Sequence, residues 1–161
     1  PVVNQTQDIH LKGEKFLTFE VSPLLKVELD EMAMVSDGVI TARVKVTRGV
    51  SKEYFKTLVS RSGNYDDSYL NMTDIQLFVS QSSSCGYRAR DERWSNEIKY
   101  TGKEFDTSFG KTITITSNPK NPIPSGRKVF IRAAARINYD TPAGSGTKRW
   151  NYSETVEIDI P

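Results

Sequence analysis

The sequence predicts an all-β sandwich of about seven or eight short strands. Apolar and polar residues alternate with a period of two in at least five separate segments. Clusters of glycine, proline, asparagine and aspartate separate these segments, as turns between strands require. A helical pattern occurs only near residues 51–59. The length of 161 residues suits one domain of this class.

The clearest strands lie at 128–137 and 150–160, which predict a closing β-hairpin. Alternation in both segments places one apolar row toward the core and a mostly polar row outward. The inward row comprises Val129, Ile131, Ala133, Ala135 and Ile137 in the first strand, and Val156, Ile158 and Ile160 in the second.

The outward row of this hairpin carries charges of both signs. Arg132 and Arg136 lie on the first strand, and Glu157 and Asp159 on the second. We expect the two arginines to sit across from the two carboxylates, because opposite charges on neighbouring strands attract.

A second hairpin is predicted around the dipeptide Asp37-Gly38, a strong tight-turn signal. The alternating segments 24–35 and 39–48 flank it and predict two antiparallel strands. Further strands are predicted at 16–21, 74–80, 97–101 and 111–117, with loops at 82–93, 118–126 and 138–149.

Residues 50–72 do not continue the alternation of apolar and polar residues that predicts strands. Ser51 can cap a short helix in which Phe55 and Val59 lie one turn apart. Residues 60–70 then have the composition of a loop. At the other end of the chain, we expect residues 1–14 to be a linker or the end of an upstream domain, and residues 15–161 to form the sandwich.

Charge and cysteine content exclude several classes of function. The 22 basic and 20 acidic residues give a net charge of +2, so no general nucleic-acid binder is predicted. Cys85 is the single cysteine, which excludes an internal disulfide and a CxxC metal or redox site. No apolar run approaches the roughly 20 residues of a membrane span.

Catalytic patterns are weak. His10 is the single histidine and lies in the polar N-terminal segment, and the common enzyme motifs are absent. We therefore predict a protein without catalytic residues, metal or cofactor. Asp66 and Asp67 beside Asn64 offer a calcium alternative but lack the usual ligand spacing. The adjacent carboxylates Asp30-Glu31, Asp66-Asp67 and Asp91-Glu92 are interpreted as solvated surface charges.

Several strands resemble a known family. Residues 129–136 (VFIRAAAR) and 151–156 (NYSETV) resemble the last two strands of fibronectin type III-like domains. More narrowly, they are similar to the C-terminal domain of uncharacterised Bacteroidetes lipoproteins. Residues 19–23 (FEVSP) and 76–80 (QLFVS) resemble the entry and an inner strand of that domain.

The resemblance implies a function outside catalysis. Genes of this family accompany SusC/SusD-type glycan importers, which implies an outer-membrane, cell-surface lipoprotein that binds a polysaccharide or oligosaccharide. The membrane would be contacted only through a lipid anchor, and SusC/SusD-type proteins are the expected partners. The alternative is a structural or adaptor domain that binds another envelope protein through an exposed strand edge.

Two groups of residues are candidate binding sites. In a fibronectin-like topology the 50–72 and 138–149 loops share one end, where aromatic rings could stack on sugars or merely cover the core. The first group comprises Tyr65, Tyr69, Tyr139, Lys148, Arg149 and Trp150. The second comprises Tyr87, Arg90 and Trp94; its alternative interpretation is a salt-bridged loop that packs Trp94 on the sandwich.

Overall fold

The computed structural model describes residues 22–30, 33–60, 65–101, 107–140 and 148–161. The expected linker at 1–14, the strand at 16–21 and His10 lie outside these residues. Within the described part, no helix is long and apolar enough to cross a membrane. The described strands are β1 Leu25–Leu29, β2 Met34–Ser36, β3 Val39–Arg48, β4 Met72–Ser80, β5 Asn96–Lys99, β6 Thr112–Thr116, β7 Lys128–Ile137 and β8 Asn151–Asp159, with helix α1 Lys52–Ser60 and a 3₁₀ helix at Asp67–Leu70.

The strands form two antiparallel sheets, which confirms the all-β sandwich. In one sheet β1 and β2 both pair with β3, and β6 pairs with β3 as well. The other sheet has the order β5-β4-β7-β8. Residues from both sheets fill one buried cluster, which we call the main core. It includes Ile40 and Val44 of β3, Ile75 and Leu77 of β4, and Ile131 of β7.

The predicted turn at Asp37-Gly38 is confirmed. Both residues have positive φ angles, 50° and 73°, as a two-residue hairpin turn of the I′ type requires. The strand before the turn is divided into β1 and β2, both of which pair with β3. The amide of Ile123 donates to the carbonyl of Gly38 at 2.8 Å, so the loop after β6 packs on the turn.

The predicted short helix is also confirmed. The amide of Tyr54 donates to Oγ of Ser51 at 3.1 Å, which caps the helix, and Phe55 and Val59 are buried. The segment interpreted as loop contains the 3₁₀ helix in addition. Asp66 caps that helix by accepting from the amide of Ser68 at 2.7 Å, and these hydrogen bonds lower the pKa of Asp66. Its carboxylate therefore has a local structural role.

The predicted ion pairs of the closing hairpin are wrong, although its strands are correct. Arg136 pairs with Asp74 of β4 at 2.6 Å. Arg132 lies opposite Thr155 and donates from Nε to the carbonyl of Ser153 at 2.7 Å. Since β7 is a central strand with β4 on its other side, its arginines find partners that the hairpin alone does not offer. Glu157 of β8 pairs instead with Lys128 at 2.5 Å.

Candidate functional site

The outer face of the β5-β4-β7-β8 sheet carries a second, smaller apolar cluster. Three residues are fully buried there: Phe78 of β4, Cys85 of the loop after β4, and Ala134 of β7. Residues on a strand alternate between faces, so Phe78 points away from the main core that its neighbour Leu77 enters. Phe130, Trp150 and Tyr152 pack against this outer cluster and cover part of it.

Two aromatic rings stack over the outer cluster. Trp150 and Tyr87 have ring centroids 6.1 Å apart and an interplanar angle of 29°. Trp150 also meets Phe78 edge to face at 5.6 Å. Tyr87 remains 47% exposed, whereas Trp150 is half-buried. The pair therefore joins a buried anchor to a ring that solvent, or a ligand, can reach.

Each of the surface rings carries an arginine on its face. The Cζ atom of Arg136 lies 4.2 Å from the centroid of Trp150, and that of Arg90 lies 4.3 Å from Tyr87. Such cation–π contacts hold both groups in place. Arg90 also pairs with Glu92 at 2.7 Å and donates to the carbonyl of Tyr87.

A third arginine lies on the same face. The Cζ atom of Arg132 lies 4.5 Å from the centroid of Tyr152. Arg132 and Arg136 alternate with the buried Ala133 and Ala135, so both arginines project from the outward row of β7.

These residues border a surface cleft of about 770 Å³, which we call the outer cleft. Its wall combines the rings of Tyr87, Trp150 and Tyr152 with small residues of the 84–89 loop. The charged residues of the lining are all basic: Arg88, Arg132, Arg136, Lys148 and Arg149. The cleft can therefore offer flat apolar surface and hydrogen-bond donors side by side.

Cys85 lies at the base of the cleft. Burial raises the pKa of its thiol to about 11, although the nearby charge of Arg132 acts in the opposite direction. Because the thiolate is the reactive form, this cysteine has the character of an inert packing residue.

Three tyrosines predicted as a site form a separate group around Phe55 of α1, which we call the tyrosine cluster. Tyr139 meets Phe55 at 5.1 Å and Tyr69 at 5.5 Å, and Tyr65 meets Phe55 at 6.3 Å. All three are partly buried against the main core. Burial is the main cause that raises the pKa of Tyr65 and of Tyr139.

The structure divides the two predicted groups differently. Lys148, Arg149 and Trp150 line the outer cleft and do not join the tyrosine cluster. They lie beside Tyr87 and Arg90, which had been assigned to the second group. The reason is that Trp150 precedes the inward-facing, buried Asn151 and so projects to the outer face.

Trp94 also departs from its predicted group. It is 4% exposed and belongs to the main core, whereas Tyr87 and Arg90 lie on the outer face. The carbonyl of Trp94 accepts from the amide of Asn118 at 2.8 Å, which ties it to the loop after β6. The loop before Trp94 contains two ion pairs, Arg93 with Asp91 and Arg90 with Glu92. The alternative interpretation of this loop expected such pairs.

Sequence reasoning missed several members of the outer cleft, among them Tyr152, Arg132 and Arg136. The sequence analysis assigns Arg132 and Arg136 to the outward row of the closing hairpin as charged surface residues, and it assigns Tyr152 to neither face. The available signal was the spacing of Trp150 and Tyr152, which lie two residues apart around the start of β8, beside the strand that carries both arginines.

The described residues show no metal cluster: nowhere among them do three or more histidine, cysteine or acidic side chains come close enough to hold an ion. Asp91 is committed to Arg93, whose hydrogen bond is the main cause that lowers the pKa of the carboxyl. The fold and the cleft thus define a β-sandwich protein with an aromatic, cationic surface cleft.

Comparison with solved structures gives a relative of high sequence identity. The chain is 62% identical to a DUF3823 family protein from Bacteroides uniformis, with a TM-score of 0.84. The match covers 89% of this chain and 58% of the relative, so this chain spans little more than half of that protein's length. No protein-family model matches the chain. Nor does any curated protein.

More distant structures share the fold alone. One from Bacteroides uniformis, described as a putative carbohydrate binding protein, has 17% identity and a TM-score of 0.58 over 88% of this chain and 60% of that one. A DUF3823 family protein from Parabacteroides merdae has 12% identity and a TM-score of 0.54 over 86% of this chain and 54% of that one.

Proposed function

We propose that this chain is a non-catalytic carbohydrate-binding domain of the DUF3823 family. The observation that carries this function is the stacked pair of Trp150 and Tyr87 at the outer cleft. The 62% identity to a DUF3823 family protein supports the family, and the neighbour described as a "putative carbohydrate binding protein" supports the ligand class.

The chemistry of the outer cleft suits a sugar. Pyranose rings present flat C–H faces that stack on aromatic rings, while their hydroxyl groups need polar partners. Tyr87 provides the accessible ring, and Arg132 and Arg136 provide donors beside it. The cleft volume of about 770 Å³ lies within the usual range for ligand pockets, about 300–1,000 Å³.

The outer cleft suits this role better than the tyrosine cluster does. Tyr65, Tyr69 and Tyr139 meet one another and Phe55 mainly edge to face, and all three pack on the main core. Their rings are therefore already used for packing. Tyr87 is nearly half exposed and leaves ring surface for a ligand.

The cellular setting is proposed from the sequence resemblance. The order β1/β2-β3-β6 facing β5-β4-β7-β8 supports a fibronectin type III-like domain. We place it in an accessory lipoprotein on the outer-membrane surface, where SusC/SusD-type proteins of a polysaccharide-uptake system would be its partners. In that setting a domain that binds without cleaving would hold glycan near the importer.

A glycan array followed by calorimetry tests this function. We expect the protein to bind at least one polysaccharide class, and Tyr87→Ala to weaken that binding at least tenfold. Tyr54→Ala is the matched control, because Tyr54 of α1 is 45% exposed against 47% for Tyr87 but lies outside the cleft. Equal binding by both variants would move the site away from the outer cleft.

A second candidate function is the adaptor role. Among the described strands β8 has β7 as its sheet neighbour on one side, so its other edge presents backbone donors and acceptors. Glu157 and Asp159 on β8 are exposed, however, and charge on an edge strand discourages pairing with another strand. A folded protein that is silent across the whole array would favour this second candidate.

A further inference from the structure

We propose that the outer cleft selects anionic glycans, whose sugars carry carboxylate or sulfate groups. This inference rests on the proposed carbohydrate-binding function and specifies its ligand. It follows from the charge of the cleft wall and from the geometry of the arginines on that wall.

Positive charge is concentrated in the cleft and is not a property of the whole chain. The sequence is nearly balanced, with 22 basic and 20 acidic residues. Every charged residue that lines the described cleft is nevertheless basic. A wall of one sign raises the local concentration of counter-charged ligand and speeds its association.

Most of this charge is not neutralised by the protein. Among the lining residues, Arg136 is paired with Asp74. Asp140 and Lys148 are joined by an isolated backbone β-bridge, which is not an ion pair between their side chains. Within the described part of the chain, four further lining residues form no ion pair: Arg88, Arg132, Lys148 and Arg149.

Arg132 is positioned to bind an acidic group. Its Nε donates to the carbonyl of Ser153 at 2.7 Å and its Nη1 to that of Cys85 at 3.4 Å. Together with the ring of Tyr152, these bonds fix the guanidinium plane without cancelling its charge. A guanidinium has five N–H donors in a planar fork, so further donors remain for a carboxylate or sulfate.

Stacking and charge recognition are adjacent, as an acidic sugar needs. The carboxylate of a uronic acid and the sulfate of a sulfated sugar are attached directly to the pyranose ring or one atom from it. A sugar ring placed against the exposed part of Tyr87 thus brings its acidic group within reach of the guanidinium and ammonium groups that line the same cleft. A neutral sugar uses the aromatic surface but gains nothing from the charge.

The test uses two pairs of probes that differ in charge. Oligogalacturonate is compared with its fully methyl-esterified form, and dextran sulfate with dextran. We expect at least one anionic member to bind at least tenfold more tightly than its neutral partner. Binding should weaken steeply between about 0.05 and 0.5 M NaCl, because salt screens exposed charges. Selective binding of oligogalacturonate would identify the carboxylate as the recognised group, and selective binding of dextran sulfate would identify the sulfate.

The variant Arg88→Gln/Arg149→Gln removes two exposed cleft charges and should weaken anionic binding about tenfold, equivalent to about 1.4 kcal/mol. The control Lys45→Gln/Lys120→Gln removes two exposed charges elsewhere and should leave binding within about twofold.

The outcomes separate the two proposals. One outcome is that neutral and anionic probes bind equally, and that Tyr87→Ala loses affinity but Arg88→Gln/Arg149→Gln does not. The anionic inference is then overturned, and the carbohydrate-binding function stands. If the charge variant and its control weaken binding equally, attraction is non-specific and the inference is also overturned. If no array glycan and no probe binds, both proposals fall.

Discussion

Arg136 of β7 donates from Nε to the carboxylate of Asp74 on β4 at 2.6 Å, and the side chain of Asp74 is only 2% exposed. The same carboxylate accepts from Thr73 Oγ1 at 2.7 Å and Gln76 Nε2 at 3.1 Å. The guanidinium also lies 4.2 Å from the centroid of Trp150. A buried charge in the sheet therefore fixes an aromatic wall of the outer cleft.

Breaking this pair should destabilise the fold. Arg136→Ala leaves a buried carboxylate without its cation, and we expect it to lower the free energy of unfolding by about 2–4 kcal/mol in urea denaturation. The matched control is Lys99→Ala, which removes an exposed ion pair with Glu97 on neighbouring β5 and should lower the free energy of unfolding much less. Equal losses in the two variants would show that the buried pair adds nothing special.

The hairpin turn gives a second prediction. At Gly38 a Cβ atom would lie 2.4 Å from the carbonyl oxygen of Ile123, and φ is +73°. At Gly126 φ is +76° but nothing lies within 4 Å. Gly126→Ala should therefore cost about 1 kcal/mol through backbone strain alone, and Gly38→Ala clearly more. Urea denaturation measures both, and similar losses would mean that the loop after β6 moves aside freely.

The strands and the helix were predictable because their signals are local. The alternation in β3 and β7 places each apolar row, and the Asp37-Gly38 pair meets the turn's need for two positive φ angles. Ser51 likewise supplies a cap that depends on a residue only three positions away.

The site was less predictable because it depends on contacts between distant segments. Sequence alternation shows that Trp150 and Tyr152 share a face, but not that Phe78 and Cys85 form an apolar patch beneath them. Nor does it show that the loop after β4 places Tyr87 on Trp150. The contacts of Trp150 with Phe78 and with Tyr87 join residues more than sixty positions apart, which sequence periodicity and propensity do not relate.

The buried thiol makes stability depend on pH. The pKa of Cys85 is raised by burial to about 11, against about 8.5 in an unfolded chain. The folded state keeps its proton longer, so the stabilisation is fully present below about pH 8.5 and is lost as pH rises toward 11. We expect wild type to lose more stability than Cys85→Ala between pH 8 and about 10.5, in denaturation curves measured in parallel. Parallel pH profiles would contradict the buried thiol.

Trp150→Ala should affect both stability and binding. Trp150 covers Phe78 and supports Tyr87, so its truncation exposes the outer cluster and should cost about 2–3 kcal/mol. We also expect loss of at least tenfold in glycan affinity. Trp150→Phe keeps an aromatic ring at this position and should recover most of both. A folded Trp150→Ala variant with full affinity would exclude the aromatic wall as the site.

Tyr139→Ala should separate the two aromatic groups. Tyr139 packs on Phe55 at 5.1 Å and on Tyr69 at 5.5 Å, so its removal should cost about 2–4 kcal/mol, as for a partly buried core aromatic. It does not line the outer cleft, and the folded fraction should bind glycan with unchanged affinity by calorimetry at low temperature. If folded Tyr139→Ala loses affinity for glycan while Tyr87→Ala binds normally, the site is the tyrosine cluster. Tyr139 contacts Tyr69 there, and Tyr69 contacts Tyr65.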